Sequence, residues 1–428
     1  MNPQTTRYVL SNGLTVILKE IHTAPIISQW IWYRVGSRNE EPGSTGLSHW
    51  VEHMQFKGTD MFPAGVLDRA ISRDGGVWNA FTYLDWTAYF ETLPMDKFDL
   101  ALELEADRMP GSLFESEMVE AERSVIISER RGNENEPTFL LAEAVQAAAF
   151  QVHSYHHDIL GSVIDLETIQ RNDLYRHYKS YYCPSNALLT ISGDFETELM
   201  IQRVRQHYEH IPAGQAPAFR ARPEPVQLEE RSIKLEGPGE TTYLEIGYHV
   251  PQADHPDFLA LNVLDSLLSG ASDLSVFGGG LSNKTSRLYR ALVEEDLAVS
   301  IHGGLQATID PYLYTLSLIV HPDRDPQYVI DALDQQIERL QDVPPGTDEL
   351  ERAVKQARAL FAYNSESITH QAFWLGLVEM FAGQDWLAGY LENLAMVTPQ
   401  DVQRVAQTYL RPQNRIRGVY IPTGEEEE

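Results

Sequence analysis

Among its 428 residues the chain has a single cysteine, Cys183. No internal disulfide framework is possible, so stability must come from apolar cores. Cys183 stands directly before Pro184 and reads as a packing residue rather than a nucleophile. No stretch approaches 18 uninterrupted apolar residues, and no segment is expected to span a membrane. The N-terminus offers no apolar leader: Asn2–Tyr8 is polar, and Val9–Leu18 alternates as a strand around an Asn-Gly turn. A cytoplasmic location is the expectation that follows. Basic residues are scarce too. Lys and Arg number 33 against 62 Asp and Glu, a net charge of -29 with a pI near 4.8. That field opposes nucleic acid and anionic membranes, and would attract basic peptides or metal cations.

The chain does contain a concentrated chemical signal in Ser44–Gly58, STGLSHWVEHMQFKG. A Ser or Thr start, helix-compatible residues and a glycine stop place it on a helix. His49 and His53 are then one turn apart on one face, which Glu52 shares. Two imidazoles so stacked can take two corners of a tetrahedral zinc site, and the carboxylate beside them can accept a proton from water. A third ligand is sought in Glu115–Arg131. There Met118, Glu122, Val125, Ile126 and Glu129 follow helical spacing and place both acids on an inward, apolar face. A buried carboxylate is costly unless it is paired or ligates a metal.

H-x-x-E-H followed after about 75 residues by E-R-x-V-x-x-x-E resembles the inverzincin signature of the pitrilysin and mitochondrial processing peptidase family. VGSRNE (Val35–Glu40), GGVWNAFTYLDWTAYF (Gly75–Phe90) and SRLYRALVEEDLA (Ser286–Ala298) also look like segments of that family. The resemblance implies one Zn2+ per chain, held by His49, His53 and Glu129. It implies Glu52 as general base and Glu122 as a second acid supporting the site. It further implies that a strand through Asn79, Ala80, Phe81 and Thr82 forms a sheet edge to which an extended peptide substrate adds. For Phe81, burial is the competing role. His153, His156 and His157 are not read as metal ligands, because the first set is complete and relatives do not use this loop for zinc. The expected reaction is hydrolysis of oligopeptides or unstructured protein segments. The alternative is an inactive core subunit of a larger complex, a role that this fold also serves.

Length favours two domains. Asp173–Asn186 (DLYRHYKSYYCPSN) aligns without gaps on Asp401–Asn414 (DVQRVAQTYLRPQN), and both blocks run from a helix through Y-x-x-P-x-N into a strand. The expectation is an α/β (α+β) protein of two homologous domains, 1–210 and 231–428, each an antiparallel-rich sheet with helices mainly on one face. Residues 211–230, with Pro212, Pro217, Pro223 and Pro225, read as the linker. Gly278-Gly279-Gly280 lacks the pattern of a phosphate loop, and Glu425–Glu428 reads as an acidic tail. Lys284–Glu295 is expected to be helical. Just there the chain departs from the family. Many members carry L-R-x-x-x-G-L-x-Y, whereas Leu292–Val299 is one residue shorter, with Val293 and Val299 in place of Arg and Tyr. A homologous partner subunit that supplies the missing pair is therefore expected, with a homodimer or monomer as the alternative.

Overall fold

The structure, a computed structural model, describes residues 5–272, 274 and 282–424. Gly278-Gly279-Gly280 and Glu425–Glu428 lie outside the described residues. In the first half the strands are β1 (Thr5–Val9), β2 (Thr15–Glu20), β3 (Ile26–Tyr33), β4 (Val77–Thr82), β5 (Thr87–Pro94) and β6 (Ala187–Gly193). Its helices are α1 (Leu47–Met54), α2 (Val66–Arg73), α3 (Asp99–Gly111), α4 (Ser116–Glu134), α5 (Pro137–Ala149), α6 (Val163–Thr168), α7 (Arg171–Tyr181) and α8 (Thr197–Tyr208). The second half contributes β7 (Arg231–Gly237), β8 (Tyr243–Val250), β9 (Ala298–Leu305), β10 (Tyr312–Val320) and β11 (Arg415–Pro422). Its helices are α9 (Phe258–Leu268), α10 (Pro326–Asp342), α11 (Thr347–Asn364), α12 (Ile368–Phe381), α13 (Gln384–Met396) and α14 (Pro399–Tyr409).

The two sheets repeat one topology. The first has the order β1-β2-β6-β3-β5-β4 and the second β7-β11-β8-β10-β9. In each, one parallel pair, β2 with β6 or β7 with β11, sits beside antiparallel neighbours. β6 and β11 are the strands that follow the aligned Y-x-x-P-x-N blocks. Both duplicated halves therefore thread their last strand into the middle of the sheet, and β4 and β9 are left at the edges.

Strand alternation divides β3 cleanly. Ile27, Ile31 and Tyr33 join the core formed with α1, α3, α7 and α8. On the opposite face Trp30 and Trp32 meet Phe373 of α12 at ring distances of 5.2 and 5.4 Å. Gly376 lets that helix lie flat, because a Cβ there would meet the Trp32 indole at 2.0 Å. Thr190 Oγ1 donates to the Ala372 carbonyl at 2.8 Å. In the second sheet Leu244, Ile246 and Tyr248 face the α9, α10 and α14 core. Gly247 and Gly418 admit α5 through Val145 and Leu141.

This packing changes the expected division of the chain. One compact unit comprises 1–131, 157–222 and 365–380, and the other 132–156, 223–364 and 381–428. The segments carrying α5 and α12 are thus exchanged between the halves, because each covers the sheet face that the other half's own helices leave bare. Residues 212–228, as expected, form no helix or strand. Lys284–Glu295 is helical as expected but over a shorter span: residues 287–293 form the helix, of which Tyr289–Val293 is a π-helical turn, and Asp296 follows in the left-handed region with φ 51°. Helices α6, α8 and α13 were not anticipated.

Candidate metal centre

Helix α1 begins later than a Ser or Thr cap would place it. Its N-cap is Gly46, with φ 89°, and no side chain at that position caps it. The left-handed backbone requires glycine there, and a Cβ would in addition meet the Leu160 carbonyl oxygen at 2.6 Å. The helix N-terminus is instead held from outside by Glu40. Its carboxylate accepts the backbone N–H of Gly46 at 2.8 Å and of Ser48 at 2.7 Å, and lies 3.1 Å from His157 Nε2. A buried carboxylate facing the positive end of a helix dipole is well placed electrostatically. Sequence reasoning did not single out Glu40 as the group that holds this helix end, and it considered His157 only as a metal ligand. The one available signal was an acid a few residues ahead of a helix that starts on glycine.

Within α1, His49 and His53 stack edge to face with ring centroids 4.6 Å apart. Glu129 of α4 reaches them, its Oε2 lying 3.8 Å from His49 Nε2 and 3.7 Å from His53 Nε2. One donor atom from each of the three lies within 4.8 Å of the others, and this is the only such group of His, Cys, Asp and Glu among the described residues. Donors about 2.1 Å from a tetrahedral zinc ion would stand about 3.4 Å apart. The cluster therefore fits zinc after small side-chain adjustment. Its donor types, two imidazoles and a carboxylate, are also those of hydrolytic zinc sites.

The protonation of the set suits ligation. Burial pushes His49 down to about 3, helped by the neighbouring His53, so its imidazole is neutral. Glu122 Oε1 sits 2.9 Å from His53 Nδ1, and its Oε2 takes the Lys57 ammonium at 2.5 Å. The pairing fixes the His53 ring so that Nε2 faces Glu129. Of the two histidines that Glu122 could have oriented, the structure chooses His53. The expected buried face of α4 needs correction. It is formed by Val119, Glu122, Ile126 and Arg130, whereas Met118 and Val125 are exposed and the Glu129 side chain is 40% exposed. Glu129 stands on the rim of the helix, its side chain partly open to water.

Glu52 is buried beside the cluster and accepts a 2.6 Å hydrogen bond from Thr82 Oγ1. Burial raises its pKa above the usual carboxylate value, an effect opposed by Thr82 and by His53. Thr82 ends β4, the edge strand through Asn79, Ala80 and Phe81. Asn79 is exposed, Ala80 is buried, and Phe81 is half-buried in a stack with Trp30 and Phe90 at 6.2 and 6.3 Å. His153 points elsewhere, its Nε2 lying 3.1 Å from Asp310 Oδ2.

Comparison with known proteins adds the following. Residues 15–163 match the family described as insulinase (peptidase family M16), and 168–357 match the peptidase M16 inactive domain. The zinc protease PqqE of Helicobacter pylori is 31% identical over 62% of this chain and 61% of its own length. The match therefore spans less than two thirds of that relative. The mitochondrial-processing peptidase subunit beta of Lentinula edodes is 26% identical over 96% of this chain and 88% of that protein. The crystal structure of a protease from Helicobacter pylori superposes with a TM-score of 0.90 at 26% identity, covering 99% of this chain and 100% of the other.

Proposed function

Because the chain belongs to the M16 peptidase family, we propose that it is a zinc metallopeptidase acting on oligopeptides or unstructured protein segments. The observation that carries this reading is the convergence of His49, His53 and Glu129 donors within 4.8 Å of one another, with the Glu52 carboxylate buried beside them. His49, His53 and Glu129 would hold the ion. Zinc, when bound, supplies Lewis acidity toward the scissile carbonyl and the attacking water.

This chain's residues do the rest. Glu52 takes the proton of the attacking water and delivers it to the leaving amine. Thr82, donating to one oxygen of Glu52, fixes the carboxylate so that its other oxygen is the one that works. Glu122 keeps the His53 ring in place. An extended peptide adds to β4 along Asn79–Thr82, where backbone pairing gives affinity without demanding sequence.

Val293 and Val299 stand where many relatives carry Arg and Tyr, and a valine cannot donate a hydrogen bond to a developing oxyanion. Such a donor is worth about 10²–10³ in rate. The site is accordingly read as one half of a heterodimer whose other, similar-sized subunit supplies the pair. A second reading, a non-catalytic core subunit, draws on the match of 168–357 to the inactive domain. It is the weaker one, since the whole ligand set lies outside those residues.

The deciding experiment measures zinc content and digestion of a mixed peptide library by wild type and Glu52→Gln, alone and with a similar-sized homologue lacking H-x-x-E-H. About one zinc in both proteins, and turnover that needs Glu52 and rises at least about tenfold with the homologue, is the expected result. Equal turnover by wild type and Glu52→Gln would overturn the chemistry. Full activity of the chain alone, unchanged by the homologue, would overturn only the heterodimer.

A further inference from the structure

One charged residue of α4, Arg123, stands directly after Glu122 and takes no part in the ligand set, yet it joins the elements that carry it. Its guanidinium stacks on the Trp50 indole, 4.8 Å from the ring centroid. Trp50 follows the ligand His49 on α1, is fully buried, and its Nε1 has no hydrogen-bond partner. The ring is therefore held by packing and by the cation above it. The same guanidinium donates Nη1 to the Leu166 carbonyl and Nη2 to the Ile169 carbonyl at 2.8 Å, at the C-terminal end of α6. Its Nε and Nη2 also meet the Glu120 carboxylate at 3.0 and 2.9 Å.

Helix α6 in turn grips the start of α1. Asp165 accepts the Thr45 N–H at 3.0 Å and the Thr45 hydroxyl at 2.6 Å, and the Ser162 N–H donates to Thr45 Oγ1 at 3.0 Å. The contacts form a closed ring, from α4 to α6, on to the start of α1, along it to Trp50, and back to α4. Arg123 supplies two of the links in that ring.

The ring lies between the two parts of the ligand set. Helix α1 carries His49 and His53, and α4 carries Glu129, about 9 Å along the helix from Arg123. Glu129 Oε2 stands 3.8 and 3.7 Å from the two imidazole Nε2 atoms, already wider than the about 3.4 Å between donors on a tetrahedral zinc ion. Any further parting of the helices costs ligation. Arginine suits the task, because a planar fork can cover two carbonyls while its face lies on an aromatic ring. The point charge of lysine cannot do both. We propose that Arg123 is a positioning residue of the metal centre: by closing this ring it sets the distance between the Glu129 carboxylate and the histidine pair. The inference rests on the reading that His49, His53 and Glu129 hold zinc.

Loading the full chain with Co2+ in place of zinc tests this, because cobalt absorption reports coordination geometry without any peptide being cleaved. Wild type, Arg123→Lys, Arg123→Met and the remote core variant Val204→Ala are compared by cobalt spectrum, by zinc affinity in competition with a chelator, and by melting of the metal-free protein. Zinc affinity should fall at least about tenfold in Arg123→Met, with the cobalt bands shifted or weakened. Arg123→Lys should resemble Arg123→Met rather than wild type, since the fork and not the charge closes the ring. Val204 is fully buried on α8, so Val204→Ala should melt lower and keep both metal readouts. Trp50→Phe combined with Arg123→Met should lower zinc affinity by less than the product of the single effects, since both open one ring. Arg123 variants that melt lower but keep wild-type spectrum and zinc affinity, as Val204→Ala does, would make the residue structural only and overturn the proposal. Fully multiplicative effects of Trp50→Phe and Arg123→Met would overturn the ring. A wild type that takes up neither zinc nor cobalt would overturn the ligand assignment itself and this inference with it.

Discussion

Replacing Glu40 with alanine should damage a metal centre that it does not touch. The Glu40 carboxylate is 3% exposed and accepts the buried Gly46 and Ser48 amides. Its removal leaves two buried N–H groups unsatisfied, each costing about 1–3 kcal/mol. It also removes a negative charge from the positive end of α1, worth about 1 kcal/mol in a partly buried setting. A total of about 3–7 kcal/mol is expected, which for a unit of this size corresponds to a fall of about 10–20 °C in melting temperature. The strain falls on the first turn of α1, where His49 sits. Zinc affinity should therefore drop about 10–100-fold, as it does when outer partners of metal ligands are lost. Glu41→Ala, the exposed neighbour, is the control and should change neither quantity. Thermal melting and zinc competition with a chromogenic chelator provide the two readouts. A Glu40→Ala protein that melts within a degree of wild type and keeps its zinc affinity would refute the capping argument.

Three further outcomes are expected. Glu122→Gln should weaken zinc binding by about 10–100-fold while leaving the fold intact, since it loosens His53 and releases Lys57 without opening a cavity; unchanged zinc affinity would mean that His53 is oriented by packing alone. Glu245 is buried on β8, and burial raises it from 4.5 to about 7 against the hydrogen bond from Ser317. Because the folded value lies above the unfolded one, the folded protein retains a proton that the unfolded chain releases, and stability falls as pH rises from about 4.5 through 7. Glu245→Gln should consequently melt higher than wild type at pH 8, by up to the order of 3 kcal/mol, with no advantage at pH 4; parallel melting curves at all pH values would contradict this. Finally, if the acidic surface extends to the substrate path, basic peptides should be cleaved faster than acidic ones of equal length, and added salt should shrink the difference.

The histidine pair of the candidate metal cluster was legible in the linear order because its geometry is local. His49 and His53 share a helix face by periodicity alone, and the acids of α4 sit at a spacing that any helix would preserve. The duplication was equally legible: aligned Y-x-x-P-x-N blocks lead into β6 and β11, which occupy the same place in the two sheets. The edge position of β4 was expected only through the family resemblance, and the sheet order bears it out.

What tertiary packing decided were the contacts between residues far apart in sequence. An apolar helix face announces that it will be buried but not against which sheet, so the exchange of α5 and α12 between the halves had no signature in the chain. The inward face of α4 was misread for the same reason. Valine and methionine at helical spacing mark a stripe about 100° wide, and only its neighbours settle which edge turns inward. Glu40 reaches the amides of α1, Thr82 reaches Glu52, and Glu122 chooses His53 over His49 only once strands and loops have brought them within hydrogen-bonding distance. Hydrogen bonds act over about 3 Å. Sequence spacing governs such distances along one helix, and beyond it only the folded arrangement does.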